Sequence, residues 1–94
     1  MLSFGNTPQR QADALAERFR IIRKQQGFTQ AHLAERSGVS LSSLKRFEQQ
    51  GEIALLALLK LAHVLNCLDD FEKLFQKKEQ EVGKNLDQLF SEDW

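Results

Sequence analysis

The sequence holds one cysteine and one proline, and it has no apolar run long enough to cross a bilayer. A lone cysteine cannot close an internal disulfide, so no part of the fold is expected to depend on an oxidising compartment. Set beside Leu65 and Leu68, Cys67 reads as a small buried thiol rather than a reactive one. A membrane span needs about 20 apolar residues. The most apolar stretch here, residues 53–65, is shorter than that and is broken by Lys60 and His63. The opening Met1-Leu2-Ser3-Phe4-Gly5 carries neither the basic region nor the apolar core of a signal peptide, and a cytoplasmic protein is expected. Alternating β-branched runs are scarce, which argues against strands. The few glycines fall near the ends of expected elements, which leaves room for uninterrupted helices. An all-α chain is the simplest account, and 94 residues with 41% hydrophobic content suit one domain with a modest core.

Chemistry-bearing clusters are missing as well. There are no paired histidines, no serine or cysteine nucleophile near a base, and no glycine loop that would cradle a phosphate. An enzyme is not expected, nor is a cofactor or a metal site. His63 has no partner at metal-ligand spacing and reads as a boundary residue. His32 reads as a surface group or a weak neighbour of a phosphate.

Net charge is zero, but its distribution is uneven. From Met1 to Asn66 nine Lys and Arg face five Asp and Glu, a balance of plus four; from Cys67 to Trp94 four face eight, a balance of minus four. The first part is basic and the tail acidic, as a nucleic-acid-facing unit with an acidic extension would be.

Thr7 followed by Pro8 is a helix start: a capping hydroxyl, then a ring whose fixed φ suits the first helical position. The helix should run to about Gln26, with Ala12, Leu15, Phe19 and Ile22 as its apolar stripe and Arg10, Arg18, Arg20, Arg23 and Lys24 on its other side. Some of these cations could reach phosphates, and a solvated basic face explains any single one equally well. Gly27 ends the helix and Phe28 plugs the core.

Residues 29–50 read as two short helices joined by a tight turn. Thr29 caps the first, which begins at about Gln30, buries Leu33 and Ala34, and stops at Gly38. Ser40 caps the second, residues 41–50, in which Leu44 and Phe47 bury while Val39 staples the turn. Leu41, Ser42, Ser43, Lys45, Arg46 and Gln49 then remain outward. Small hydroxyls permit close approach to a duplex, and Lys45 and Arg46 supply donors for phosphates and guanine edges. This is the helix-turn-helix geometry in which the second helix enters the major groove. An ordinary helical hairpin with a solvated face is the competing account. Beyond a connector of Gln49, Gln50, Gly51 and Glu52, residues 53–65 are expected to form the central buried helix. Asp69 and Asp70 are then expected to cap a short fifth helix carrying Phe71, Leu74 and Phe75.

Residues 14–71, about three fifths of the chain, resemble the Xre family of helix-turn-helix regulators, the phage-repressor type. The resemblance rests on the T-Q start at Thr29, the L-A-E-x-x-G-V-S turn, the L-x-x-F-E ending and the L-L-K-L-A helix behind it. It implies a five-helix phage-repressor-like DNA-binding domain over residues 1–75, followed by an acidic amphipathic tail over residues 76–94. It also implies a sequence-specific repressor in which Gln30 clamps a phosphate while Ser40, Leu41, Ser42, Lys45 and Arg46 face backbone or bases; Ser43 and Gln49 complete the expected DNA-binding set. Two positions depart from the family pattern: the glycine after L-x-x-F-E is delayed to Gly51, and Ala54 stands where a capping serine is usual. One module reads few base pairs, so a homodimer with its recognition helices about one DNA turn apart (roughly 34 Å) is expected; the resemblance implies that the segment after the fourth helix supplies the dimer contact, here residues 65–75.

Within this class, the short chain and the segments L-S-S-L-K-R-F-E and L-D-D-F-E-K-L-F resemble HipB-type antitoxins. These repress their own operon and bind HipA-like kinase toxins, which implies such a toxin as partner beside operator DNA. In the tail, Leu86, Leu89, Phe90 and Trp94 recur at helical spacing among acids. They form either a segment that packs on its own domain or an anchor for a protein partner. Alternatives are a free-standing regulator of the same family, or a protein-binding adaptor whose helix-turn-helix is structural.

Overall fold

In the computed structural model, which describes residues 6–77, every regular element is helical. Four α-helices, α1 (Pro8–Gln25), α2 (Gln30–Ser37), α3 (Leu41–Gln50) and α4 (Leu55–Val64), are followed by a 3-10 helix, Leu68–Lys73. The helix starts fall where the capping residues place them. The hydroxyls of Thr7, Thr29 and Ser40 accept from the amides of Arg10, His32 and Ser43, and each satisfies a donor that has no intrahelical partner. α3 has the expected bounds of residues 41–50, so Gln49 and Gln50, also assigned to the connector, are its last residues and the connector begins at Gly51. The delayed glycine therefore lengthens that helix, and Gly51 ends it in the left-handed conformation.

The core joins all four helices. Leu33, Leu44, Phe47, Leu61 and Leu65 are fully buried, and Phe19 meets Phe47 edge-on with ring centroids 5.2 Å apart. α1 packs on α3, α2 on both α3 and α4, and α4 on the 3-10 helix. The buried side of α1 is turned from the expected stripe: Ala16, Phe19 and Arg23 are buried, whereas Ala12, Leu15 and Ile22 are half-buried.

Arg23 is the largest departure. Expected on the exposed basic side, it lies in the core. Its Nε and Nη2 donate to the Glu48 carboxylate at 2.7 and 2.9 Å, and its Nη1 donates to the Phe28 carbonyl at 2.8 Å. The two side chains are 7% and 5% exposed. Gln30 Nε2 donates to the same carboxylate at 3.0 Å, so the pair binds α1, the start of α2 and α3 to one another. Among the described residues no buried side-chain nitrogen or oxygen lacks a partner.

The expectation of a central, buried fourth helix is corrected. α4 buries Leu58, Leu61 and Ala62 and packs Ala57 and Val64 against the core in part, while Leu55 and Leu56 are 65% and 64% exposed, because among the described residues no further layer covers its outer side. It starts at Ala54 without a side-chain cap. The fifth element forms as a 3-10 helix with Cys67 at its start, not as an α-helix capped by Asp69 and Asp70. So short a segment, set off from α4 by Asn66 at φ 62°, closes i to i+3 bonds without nucleating an α-helix. Phe71 is half-buried, but Leu74 and Phe75 are exposed.

Two predictions follow from this packing. Glu48→Ala leaves the Arg23 guanidinium buried without its counter-charge and should lower the unfolding free energy by about 3–5 kcal/mol in urea melts; a loss below about 1 kcal/mol is what an exposed pair would give. A Cβ at Gly51 would meet Asp13 Oδ1 at 3.0 Å and the Ala12 Cβ at 3.1 Å, whereas one at Gly38 meets nothing within 4 Å. Both glycines have φ near 75–78°. Gly38→Ala should therefore cost only the backbone strain, about 1–2 kcal/mol, and Gly51→Ala measurably more.

Candidate nucleic-acid interface

The turn between α2 and α3 is made by Gly38 at φ 78°, whose amide donates to the Ala34 carbonyl, and by Val39, which is buried behind it. With Leu44 and Phe47 locked into the core, the opposite side of α3 is fixed outward. Ser42, Lys45, Arg46 and Gln49, at spacings of three, one and three, form one exposed stripe along it. Leu41 stands at the N-terminal end of that side, 37% exposed.

The other expected site residues sit close by in different roles. Ser40 accepts from the Ser43 amide at 3.1 Å and its hydroxyl bonds the Ser43 hydroxyl at 2.8 Å, so its oxygen is engaged in the cap; Ser43 is half-buried. Gln30 is half-buried and its Nε2 is held by Glu48. That bond uses one amide hydrogen, so the second and the Oε1 remain for other partners. Neither α2 nor α3 carries an acidic residue in its own first turn, although the Glu48 carboxylate, paired with Arg23, lies beside the start of α2. His32 is exposed on α2, with its ring 5.0 Å from that of Phe28. Leu86, Leu89, Phe90 and Trp94 lie outside the described residues.

One residue of this surface escapes sequence reasoning. Glu52, assigned only to the connector, binds Arg46: its Oε1 lies 2.8 Å from Nη2 and 2.9 Å from Nε. Both side chains are more than half exposed. The pair spans six residues across the Gly51 turn, a spacing that no helical periodicity marks.

Burial pushes the Cys67 thiol above its ordinary pKa, and the nearby Asp70 carboxylate adds to the shift, so the protonated form prevails at neutral pH. Cys67 is half-buried, more open than the buried thiol its apolar sequence context predicts. Among the described residues no group of three or more His, Cys, Asp and Glu side chains could hold a metal ion. No described helix is long and apolar enough to cross a membrane.

A capped bihelical unit with a polar, basic outer stripe on its second helix defines a helix-turn-helix module. The helix-turn-helix family model matches residues 19–70, more than half of the chain, and the protein belongs to this family of DNA-binding regulators, of the Xre/Cro-CI type. No curated protein and no solved structure matches the chain.

The cap and the stripe are separable by substitution. Ser40→Ala should destabilise the fold by about 0.5–2 kcal/mol in thermal or urea melts through loss of the α3 cap, whereas Ser42→Ala, on the exposed stripe, should change stability by less than about 0.5 kcal/mol.

Proposed function

We propose that the chain is a sequence-specific transcriptional repressor that occupies a palindromic operator as a homodimer, with α3 in the major groove. The observation that carries this is the exposed stripe Ser42, Lys45, Arg46 and Gln49, held outward by the burial of Leu44 and Phe47 on the second helix of the hairpin. In this reading Lys45, Arg46 and Gln49 reach base edges and adjacent phosphates, and Ser42 and Leu41 allow close approach. Gln30, with Ser40 and Ser43 at the start of α3, lies toward the sugar-phosphate backbone. The homodimer is placed on residues 65–75, where the exposure of Leu68, Leu74 and Phe75 supports an apolar contact. Sedimentation at micromolar concentration should return a dimer, and a stable monomer would overturn that part.

Within this class we place the protein as the cytoplasmic antitoxin of a HipA-like toxin operon, repressing its own operon and binding the toxin through Leu86, Leu89, Phe90 and Trp94. The support is the resemblance of the L-S-S-L-K-R-F-E and L-D-D-F-E-K-L-F segments, together with the acidic, aromatic-ended tail. A free-standing regulator of the same family has the same core. An adaptor with a purely structural hairpin predicts instead that Arg46→Ala changes nothing.

The test is a titration against DNA from immediately upstream of the gene, with scrambled competitor, at two salt concentrations. Tight binding that survives competitor is expected; weak binding that disappears with salt would leave only phosphate attraction. In the same assay Arg46→Ala should cost about 1–3 kcal/mol against the operator, and Lys45→Ala, if it meets phosphate, should weaken all duplexes alike. Glu52→Gln removes a carboxylate that competes for Arg46, and it should tighten binding by up to about fivefold, the worth of an exposed ion pair. That gain should vanish in the Arg46→Ala background.

A further inference from the structure

A second surface shares no residue with the α2–α3 unit. Between α1, α4 and the 3-10 helix runs an open groove of about 430 Å³. The buried Phe19, Leu58 and Leu65 and the half-buried Leu15, Ile22 and Phe71 line it. Leu15 and Ile22 belong to the stripe expected to be core; they pack against its edge and also line this groove. Its floor is continuous with the hydrophobic core, so an occupant there would remove from water the apolar surface that four helices leave uncovered. Arg18 stands at its lip.

We propose that this groove is the docking site of the chain's own C-terminal segment, residues 86–94, with Leu86, Leu89, Phe90 and Trp94 turned into it. The path of the chain, the dimensions and the charges all favour this occupant. Leu74 lines the groove, so the chain leaves its rim three residues before Lys77. The stretch from Lys77 to Leu86 can span about 30 Å when extended, far more than the return requires. From Gln11 to Ile22 the α1 wall of the groove is about 16 Å long at helical rise, and residues 86–94 would cover about 12 Å of it as a helix. Residues 6–77 carry eleven Lys and Arg against eight Asp and Glu, whereas residues 86–94 carry Asp87, Glu92 and Asp93 with no Lys or Arg. Those carboxylates flank the apolar side chains and can meet Arg18 on the α1 side, away from Asp70, the one carboxylate of the lining. A protein partner that takes the tail has to lift it from the groove first. This inference stands independently of DNA binding, but Leu65, Phe71 and Leu74 of the groove belong to the 65–75 segment proposed above as the dimer contact, so the tail and a second copy would compete for this surface.

The sole tryptophan and the sole cysteine report on the two sides of the contact, since Trp94 is in the segment and Cys67 lines the groove. In the full chain Trp94 emission should be blue-shifted from that of a peptide of residues 85–94, and the shift should persist on tenfold dilution. Ile22→Glu, with helical circular dichroism retained, should return the emission to that of the peptide, and Arg18→Glu should move it part of the way. Leu89→Ser with Phe90→Ser should speed alkylation of Cys67 severalfold. Peptide-like emission in the unaltered chain overturns the proposal. A shift that fades on dilution also overturns it and makes a second copy the occupant. An emission indifferent to a folded Ile22→Glu chain places the tail elsewhere. If Ile22→Glu unfolds the chain, the alkylation rate decides, and an unchanged rate overturns the proposal.

Discussion

The Arg23–Glu48 pair is the constraint around which the helices are arranged. A charge brought into a protein interior loses several kcal/mol of solvation unless its hydrogen bonds and counter-charge are all replaced. Here every nitrogen of the guanidinium has an acceptor, and the carboxylate takes a third donor from Gln30. Such a network is satisfied in only one arrangement of its parts, so it favours a single mutual position of α1, the Phe28 turn, the start of α2 and α3. Apolar contacts such as Phe19 on Phe47 supply cohesion, but they tolerate small slides. Two parallel bonds between guanidinium and carboxylate tolerate far less. The orientation of α3 relative to α2 is therefore set by polar geometry inside an apolar shell.

That arrangement explains which features could be read from the sequence. Caps are local, so Thr7, Thr29 and Ser40 set helix starts, and Gly38 and Gly51 helix ends, within a few residues of chain. The burial of Leu44 and Phe47 is a matter of spacing within one helix. The Arg23–Glu48 pair is not local: an arginine among Arg18, Arg20 and Lys24 looks like one more exposed cation until Glu48, 25 residues away, is known to face it. The turn of α1 that buries Ala16 in place of Leu15 has the same origin, because burying Arg23 fixes the rotation of the helix. Composition also misled for α4. A run of leucines reads as buried on all sides, but among the described residues no second layer covers Leu55 and Leu56.

On the outer face of α3 the local electrostatics are mixed. The helix starts of α2 and α3 and the stripe cations favour phosphate, and these effects are insensitive to sequence. Glu52 works against them by pairing with Arg46 from beyond the Gly51 turn. A guanidinium restrained in this way gives up less entropy when it meets a partner in the right place, and a partner in the wrong place has to displace the carboxylate. In a DNA complex the effect of Glu52 would thus be to lower indiscriminate attraction more than a well-aligned contact, which raises the ratio between the two. Arg23 and Arg46 are the same residue type with opposite consequences. The buried one is paired permanently and fixes the fold, whereas the exposed one is paired weakly and can exchange partners.

The groove between α1 and α4 follows from the same geometry. Once Arg23 turns α1 so that Ala16 and Phe19 meet the core, Leu15 and Ile22 are displaced to its edge, and the short 3-10 helix covers them only in part through Phe71. The 3-10 helix leaves Leu74 exposed at the rim of that edge, and Phe75, at positive φ, is fully exposed. The domain therefore ends with an uncovered apolar edge next to the point where its acidic, aromatic-rich extension departs. An apolar edge of this kind costs free energy whenever water covers it. The segment tethered beside it is present at an effective concentration in the millimolar range, which an untethered competitor has to exceed in affinity.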